Sequence, residues 1–334
     1  MYSFEGFSAF VISFSVNWYF NFNRRRSTTN YDIIIIGGGM FGSAAAKYLA
    51  MKNKRVLMIA PMQSKYHAHN DQSRLYRFQE SDVDGFWSIV SKSSISRYNL
   101  IGGSFHSPVG YIGISIGNSP WLRGQCNGIQ ELSPPFDQYG INSSLSSECS
   151  IKVFTQIENA GILDPIKLVN RQRHLFEENG GKILNATVDS VVEYKDDGSV
   201  YVRTSDGKII KGFTVLVCSG CMVNTIPIKV NDEALILVPD AILKTQAVVL
   251  FEIAEDDVKK LPTQSMIFAG PTKGEVKEDL YDSCYCVPPL KYPDGKFYLK
   301  IGHGKELELV IDSKDATKIR AWYDKGGSKD EEIM

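Results

Sequence analysis

Six residues constrain this chain more than any others. Gly37-Gly-Gly-Met-Phe-Gly42 stands directly between a β-branched run, Tyr31-Asp-Ile-Ile-Ile-Ile36, and a segment of small residues, Ser43-Ala-Ala-Ala-Lys-Tyr-Leu-Ala-Met-Lys52. A continuous run of this kind reads as a strand buried on both faces, as in a parallel sheet. The small-residue segment predicts a helix ending by Asn53, and Arg55-Val-Leu-Met-Ile-Ala60 predicts a second strand. Together they form a βαβ unit of about thirty residues. Gly37, Gly39 and Gly42 have the spacing of the dinucleotide fingerprint. The first allows a tight turn, the second lets the backbone approach a pyrophosphate, and the third lets the helix pack against the strand. The helix N-terminus at Met40 and Phe41 then turns its N–H groups and positive dipole end toward the phosphates.

One part of that pattern is missing. The second strand ends in Ala60 and then Pro61, where an Asp or Glu holds the ribose hydroxyls. A lost hydrogen bond to a charged group is worth roughly 1.5–3 kcal/mol. A site without the acid also admits a 2′-phosphate, with Lys65 as counter-ion, so an NADP-dependent reductase is one alternative.

The segment after the second strand is His67-Ala-His69-Asn70-Asp71-Gln72-Ser73-Arg74-Leu75-Tyr76-Arg77. On these residues the chain resembles the sarcosine-oxidase-like branch of FAD-dependent amine oxidoreductases, in the D-amino-acid-oxidase superfamily. That branch carries a histidine-rich stretch and an Arg-x-x-Arg in this place. The resemblance implies FAD as cofactor, with Ser73 and Arg74 beside the flavin and Arg77 on the substrate carboxylate. A guanidinium offers a planar fork that matches a carboxylate. Taken alone, the two arginines read equally as a surface basic pair.

Further stretches agree with the resemblance. Gly161-Ile-Leu-Asp-Pro165 and its helix resemble the segment leading to the strand that meets the adenosine, where Val188 matches the contact position. Val215-Leu-Val-Cys-Ser-Gly220 looks like the second glycine-bearing strand end near the cofactor. Cys284-Tyr285-Cys-Val-Pro288 and Tyr298-Leu-Lys300-Ile-Gly302-His303 follow at family-like spacing. By resemblance Tyr285 lines the substrate pocket, and Lys300 lies beneath the flavin, where its charge assists reaction with oxygen. A lysine in an apolar strand is unusual, since lysine is almost never fully buried unpaired. Its alternative is an edge-strand lysine facing water. The resemblance covers residues 31–303. The family pattern that normally follows is not recognisable in residues 307–334, so a non-catalytic or truncated FAD-binding paralogue is the second alternative.

The rest of the sequence narrows the class. The chain has 334 residues, 43% apolar and 22% charged, enough for two domains with sizeable cores. The net charge is −1, and no basic block with interleaved aromatics occurs, which excludes nucleic acid as a partner. Six cysteines are too few for a disulfide scaffold at this length. Cys218-Ser-Gly-Cys221 has redox or zinc spacing, but it ends an apolar run and no second pair matches it, so no metal is expected. Residues 6–23 carry no charge and precede Arg24-Arg25-Arg26. Asn17, Asn21 and Asn23 interrupt the run, which favours an extension outside the fold over a membrane anchor. An intracellular site is expected. A peroxisomal Ser-Lys-Leu ending is absent, because the chain ends Glu-Glu-Ile-Met.

The expected fold is α/β. A Rossmann-like FAD-binding domain, residues 30–107 and 159–234, is interleaved with a β-rich α+β substrate domain, residues 108–158 and 235–334. Residues 1–29 form the extension. The expected activity is oxidation of the C–N bond of a small secondary or N-methyl amino acid to an imine, with oxygen as acceptor.

Overall fold

A computed structural model describes residues 12–13, 31–62, 67–78, 86–116, 129–133, 151–194, 198–230, 233–237, 241–244, 248–270, 284–303, 310–311 and 315–324. The chain forms two compact units. The first draws on residues 1–70, 168–245 and 309–334, the second on residues 71–167 and 246–308.

The first unit is built on parallel strands. Lys182–Leu184 lies beside Val56–Ile59, which lies beside Tyr31–Ile36, which lies beside Ile209–Val217. Their C-terminal ends therefore share one edge, where open α/β sheets bind ligands. The sheet continues through Ser199–Thr204, which runs antiparallel to both its neighbours, to Val188–Tyr194, then to Ile228–Val230, parallel to it, and to the antiparallel Glu233–Leu237. Ile209–Val217 is one long strand with two neighbours in succession. Its first half pairs with Ser199–Thr204 and its second with Tyr31–Ile36.

Alternation along the isoleucine run explains its burial on both faces. Ile34 and Ile36 pack with Leu57, Ile59, Val188 and Val217 on one side. Ile35 packs on the other with Val56, Met58, Ala46, Ala50 and Phe176. Each such side chain contributes about 1.5–3 kcal/mol of burial. The helix Met40–Met51 buries its small residues, Gly42, Ser43, Ala46 and Ala50. Just past its end Asn53 takes the left-handed conformation, φ 58°. The helix Pro165–Glu178 joins the same core through Phe176. The Ser43 hydroxyl donates to Gln172 Oε1 at 2.7 Å and ties the two helices.

The second unit holds a seven-stranded sheet among the described residues. Its order is Val248–Ile253, Phe297–His303, Cys284–Lys291, Ser265–Ala269, Tyr111–Ile116, Ile151–Gln156 and Gln130–Leu132. A smaller sheet joins Arg74–Tyr76 and His106–Ser107 to Gly161–Leu163. All three of these strands belong to the second unit. The helix Phe86–Ile95 is followed by a short turn of helix, Tyr98–Ile101.

Of the uncharged N-terminal run only Ile12–Ser13 is described, pairing with Val217 and Leu216. No helix among the described residues is long and apolar enough to cross a membrane. Lys65 lies outside the described residues.

Candidate functional site

In the first unit the glycine loop leaves the sheet where Tyr31–Ile36 and Ile209–Val217 end side by side. Gly37 has φ +99°, and a Cβ there would lie 2.3 Å from the Cys218 carbonyl oxygen. A Cβ on Gly42 would lie 1.8 Å from the Gly37 oxygen. Only glycine fits at either position. Gly39 differs. Its backbone is ordinary, φ −71°, and a Cβ there would meet nothing nearer than His69 Nδ1 at 3.7 Å. Gly39 therefore faces the open side of the loop. It also caps the helix Met40–Met51, which has no side-chain cap and no acidic residue in its first turn. The positive end of that helix is left for an anion. A glycine at the approach point and no carboxylate at the helix end fit a dinucleotide pyrophosphate.

Gly220, φ +59°, opens the short helix Gly220–Thr225 after the same strand, and Val188 begins Val188–Tyr194. Cys218 is buried, and burial pushes its thiol up to about 12, as expected of a packing residue. Among the described residues no group of three or more His, Cys, Asp or Glu is placed to hold a metal ion.

Beside the loop stands a residue that sequence reasoning missed. Arg173, 7% exposed, donates from Nη2 and Nε to the Gly38 carbonyl at 2.7 and 3.0 Å. Leu168, Val169, Gln172, Arg173 and Phe176 are all buried. That is the helical stripe spacing, so polar residues at 172 and 173 were the available signal. The rings of His67 and His69 stack with centroids 4.8 Å apart. Burial, and then the Arg173 charge, lower the His67 pKa.

The second unit holds a charged cluster. Lys300 lies on Phe297–His303, between Val248–Ile253 and Cys284–Lys291, so it is on an interior strand and not an edge. It is 3% exposed. Its Nζ donates to Asp71 Oδ2 at 2.7 Å and to the Ser73 carbonyl at 2.5 Å. Arg74 Nη1 donates to the same Asp71 oxygen and, at 2.8 Å, to the Ser73 carbonyl. Asp71 Oδ1 accepts from the Tyr292 hydroxyl at 3.0 Å and from the Gln72 N–H at 2.7 Å. One half-buried carboxylate thus serves two cations and two neutral donors, and it pairs the buried charge of Lys300.

The electrostatics follow. Burial raises the Asp71 carboxyl, but the Lys300 and Arg74 charges with its hydrogen bonds outweigh that and hold it below the usual range. Burial lowers Lys300, and Arg74 adds to this against the pull of Asp71. Burial, then Asp71, raises Tyr292. Asp71 and Tyr292 were not singled out on sequence.

The other expected residues of this unit lie nearby. Arg77 stands over the ring of Tyr111, 5.8 Å from its centroid. Tyr285 packs with Tyr111, Ala160 and Ile267. Its ring covers Gly302 on the neighbouring strand, where a Cβ would lie 2.1 Å from Cζ. Burial raises the Tyr285 hydroxyl. The expected residues thus fall into two groups. Gly37, Gly39, Met40, Phe41, Gly42, Val188 and Gly220 belong to the first unit, and Ser73, Arg74, Arg77, Tyr285 and Lys300 to the second.

The architecture is a mixed α/β fold, and it is shared with solved oxidases. NikD, an unusual amino acid oxidase essential for nikkomycin biosynthesis, matches with TM-score 0.57 at 15% identity, over 86% of this chain and 73% of its own. Fructosamine oxidase (Amadoriase II) from Aspergillus fumigatus matches with TM-score 0.57 at 15% identity, over 83% and 62%. A thermally stable mutant of fructosyl peptide oxidase matches with TM-score 0.60 at 16% identity, over 84% and 65%. In sequence, a probable sarcosine oxidase from Arabidopsis thaliana is 24% identical over 209 residues, 58% of this chain. The chain spans about half the length of that curated relative. No family model matches the chain.

Proposed function

We propose that this chain is an FAD-dependent oxidase acting on the C–N bond of a small amino acid, secondary or N-methylated, with oxygen as acceptor. The observation that carries this is Lys300, a buried ammonium held by Asp71 and Ser73 on the strand beside Tyr285. Purely structural lysines rarely occupy such a place. The similarity to a probable sarcosine oxidase and to amino acid and fructosamine oxidases supports the same reading.

The residues take the following roles. The loop at Gly37, Gly39 and Gly42, with the helix end at Met40 and Phe41, holds the pyrophosphate. Val188 and Gly220 border the cofactor, and Ser73 and Arg74 stand beside its ring. FAD, when bound, supplies the two-electron acceptor that amino-acid side chains lack. Arg77 holds the substrate carboxylate with its fork and orients the amine-bearing carbon. Tyr285 shapes the pocket. Lys300 presents a fixed cation that stabilises negative charge developing on oxygen, most effectively where water is excluded. Asp71 keeps Nζ in place and keeps it protonated.

The test begins with the absorption spectrum of the purified protein. A flavin spectrum is expected, bleached anaerobically by an N-methyl amino acid and restored by air with release of peroxide. A colourless protein that gains no flavin from added FAD would end the proposal. Arg77→Lys should then weaken binding of a simple carboxylate, read by flavin absorbance, by about 2–5 kcal/mol. Equal dissociation constants would remove Arg77 from the site.

A further inference from the structure

Arg173 is a cation in an unusual setting. It is 7% exposed, yet among the described residues no carboxylate forms an ion pair with it. Its fixed partner is a carbonyl, that of Gly38, which receives Nε and Nη2 together. Buried charges are normally paired or bound to a ligand of opposite charge. Glu177, one turn further along the helix, acts on it through space, against a larger effect of burial.

Its location gives the deficit a meaning. A Cβ built on Gly38 would lie 3.0 Å from Ala60 Cβ, 3.1 Å from Arg173 Nη2 and 3.2 Å from Met58 Sδ. The guanidinium, the glycine loop and the end of the second strand therefore meet at one point. Arg173 Nη1 lies 3.9 Å from the sulfur of Met62, just past that strand. In the dinucleotide fold this is where an acidic residue accepts hydrogen bonds from the ribose hydroxyls. Here the position belongs to Ala60, and the polar group beside it is a donor.

We propose that Arg173 reads the adenosine ribose of the bound dinucleotide in place of the missing acid, and that the site consequently accepts a 2′-phosphate there. This rests on the dinucleotide-binding reading of the glycine loop. A carboxylate at the strand end accepts from the 2′-hydroxyl and repels a 2′-phosphate. A guanidinium does the reverse: it donates to a hydroxyl oxygen and attracts a phosphate more strongly still. Two fork nitrogens remain anchored on Gly38, so recognition falls to the outer N–H groups on the Met62 side.

The experiment uses the flavin-bearing protein and two competitors that differ only by the phosphate in question, 5′-AMP and adenosine 2′,5′-bisphosphate. Displacement of FAD is followed by recovery of flavin fluorescence at fixed ionic strength. The wild type should respond to the bisphosphate at about tenfold lower concentration than to AMP, the effect of one charge-assisted contact. Arg173→Gln keeps an amide donor for the Gly38 carbonyl and removes the charge, so the two competitors should become equal or reverse. Ala60→Glu, with Arg173 intact, should make the bisphosphate the weaker competitor. A wild type that prefers AMP overturns the inference without any variant, and so does a ratio unchanged in Arg173→Gln. A protein that binds neither FAD nor AMP instead refutes the nucleotide site itself, and this inference with it.

Discussion

Gly37, Gly39 and Gly42 share one spacing and do two different jobs. At Gly37 a Cβ would strike the Cys218 carbonyl at the end of the neighbouring strand, and at Gly42 it would strike the Gly37 carbonyl of the loop itself. Gly42→Ala should therefore destabilise the protein by about 1–3 kcal/mol or more, as overpacking does. Gly39 has room, so Gly39→Val should melt within about 2 °C of the flavin-free wild type, a change of roughly 1 kcal/mol or less, and should purify without FAD. Melting temperature and flavin stoichiometry, measured together, separate the two cases. A yellow Gly39→Val protein would remove the loop from the cofactor site. Lys300 offers a second test at this scale. Lys300→Met keeps the volume and removes the charge, so reoxidation of flavin should slow much more than its reduction. Equal slowing of both half-reactions would make the lysine structural. Because burial and Arg74 lower the Lys300 pKa, its proton leaves below the ordinary value of 10.5. In wild type the reoxidation rate should fall as pH rises through that lowered value, and the methionine variant should lack this limb. Asp71→Asn removes the anion opposing the shift, so the limb should move to lower pH. The Asp71 pKa is itself depressed, so its contribution to stability is present above pH 3.8 and is lost as pH falls through the lower folded value. Acid melts of Asp71→Asn should lack that loss.

At the scale of the element, Phe297–His303 performs two tasks from one alternating pattern. Lys300 projects into the charged cluster, and Gly302 makes the space over which Tyr285 lies. Gly302→Ala should push the tyrosine ring aside, at about 1–3 kcal/mol in stability, and should weaken carboxylate ligands that bind beside it. Unchanged melting and unchanged ligand affinity would show that the ring moves freely. The strand, loop and helix around Gly37–Gly42 were legible because local pattern determines them: β-branched run, glycine spacing, small-residue helix. Lys300 was legible as an anomaly, a cation inside an apolar run. Asp71 was not. It sits among polar turn residues, and its partner Lys300 is 229 positions away in the chain, so nothing nearby marks it. Arg173 was hidden among Arg171, His174 and other polar neighbours on its helix. Its burial is decided by packing against Gly38, a tertiary fact that only the helical stripe foreshadows. The pairing of Arg74–Tyr76 and His106–Ser107 with Gly161–Leu163 was hidden for the same reason, since local periodicity does not specify so distant a partner.

At the scale of the whole molecule, each unit is assembled from segments that are not contiguous in the chain. The first strand, Tyr31–Ile36, needs Ile209–Val217 as its sheet neighbour, and the Gly37 turn packs on the carbonyl of Cys218. This has a consequence for synthesis on the ribosome. The isoleucine run emerges well before Ile209–Val217 and must wait with an open edge while the second unit's first segment is made. Pairings so distant in sequence form slowly, because the intervening chain must close before any contact compensates its lost entropy. An unpaired apolar edge in that interval is open to aggregation or to capture by a chaperone. The residues that would cradle the pyrophosphate are thus translated long before Cys218, yet they cannot take their final shape until Cys218 has left the exit tunnel.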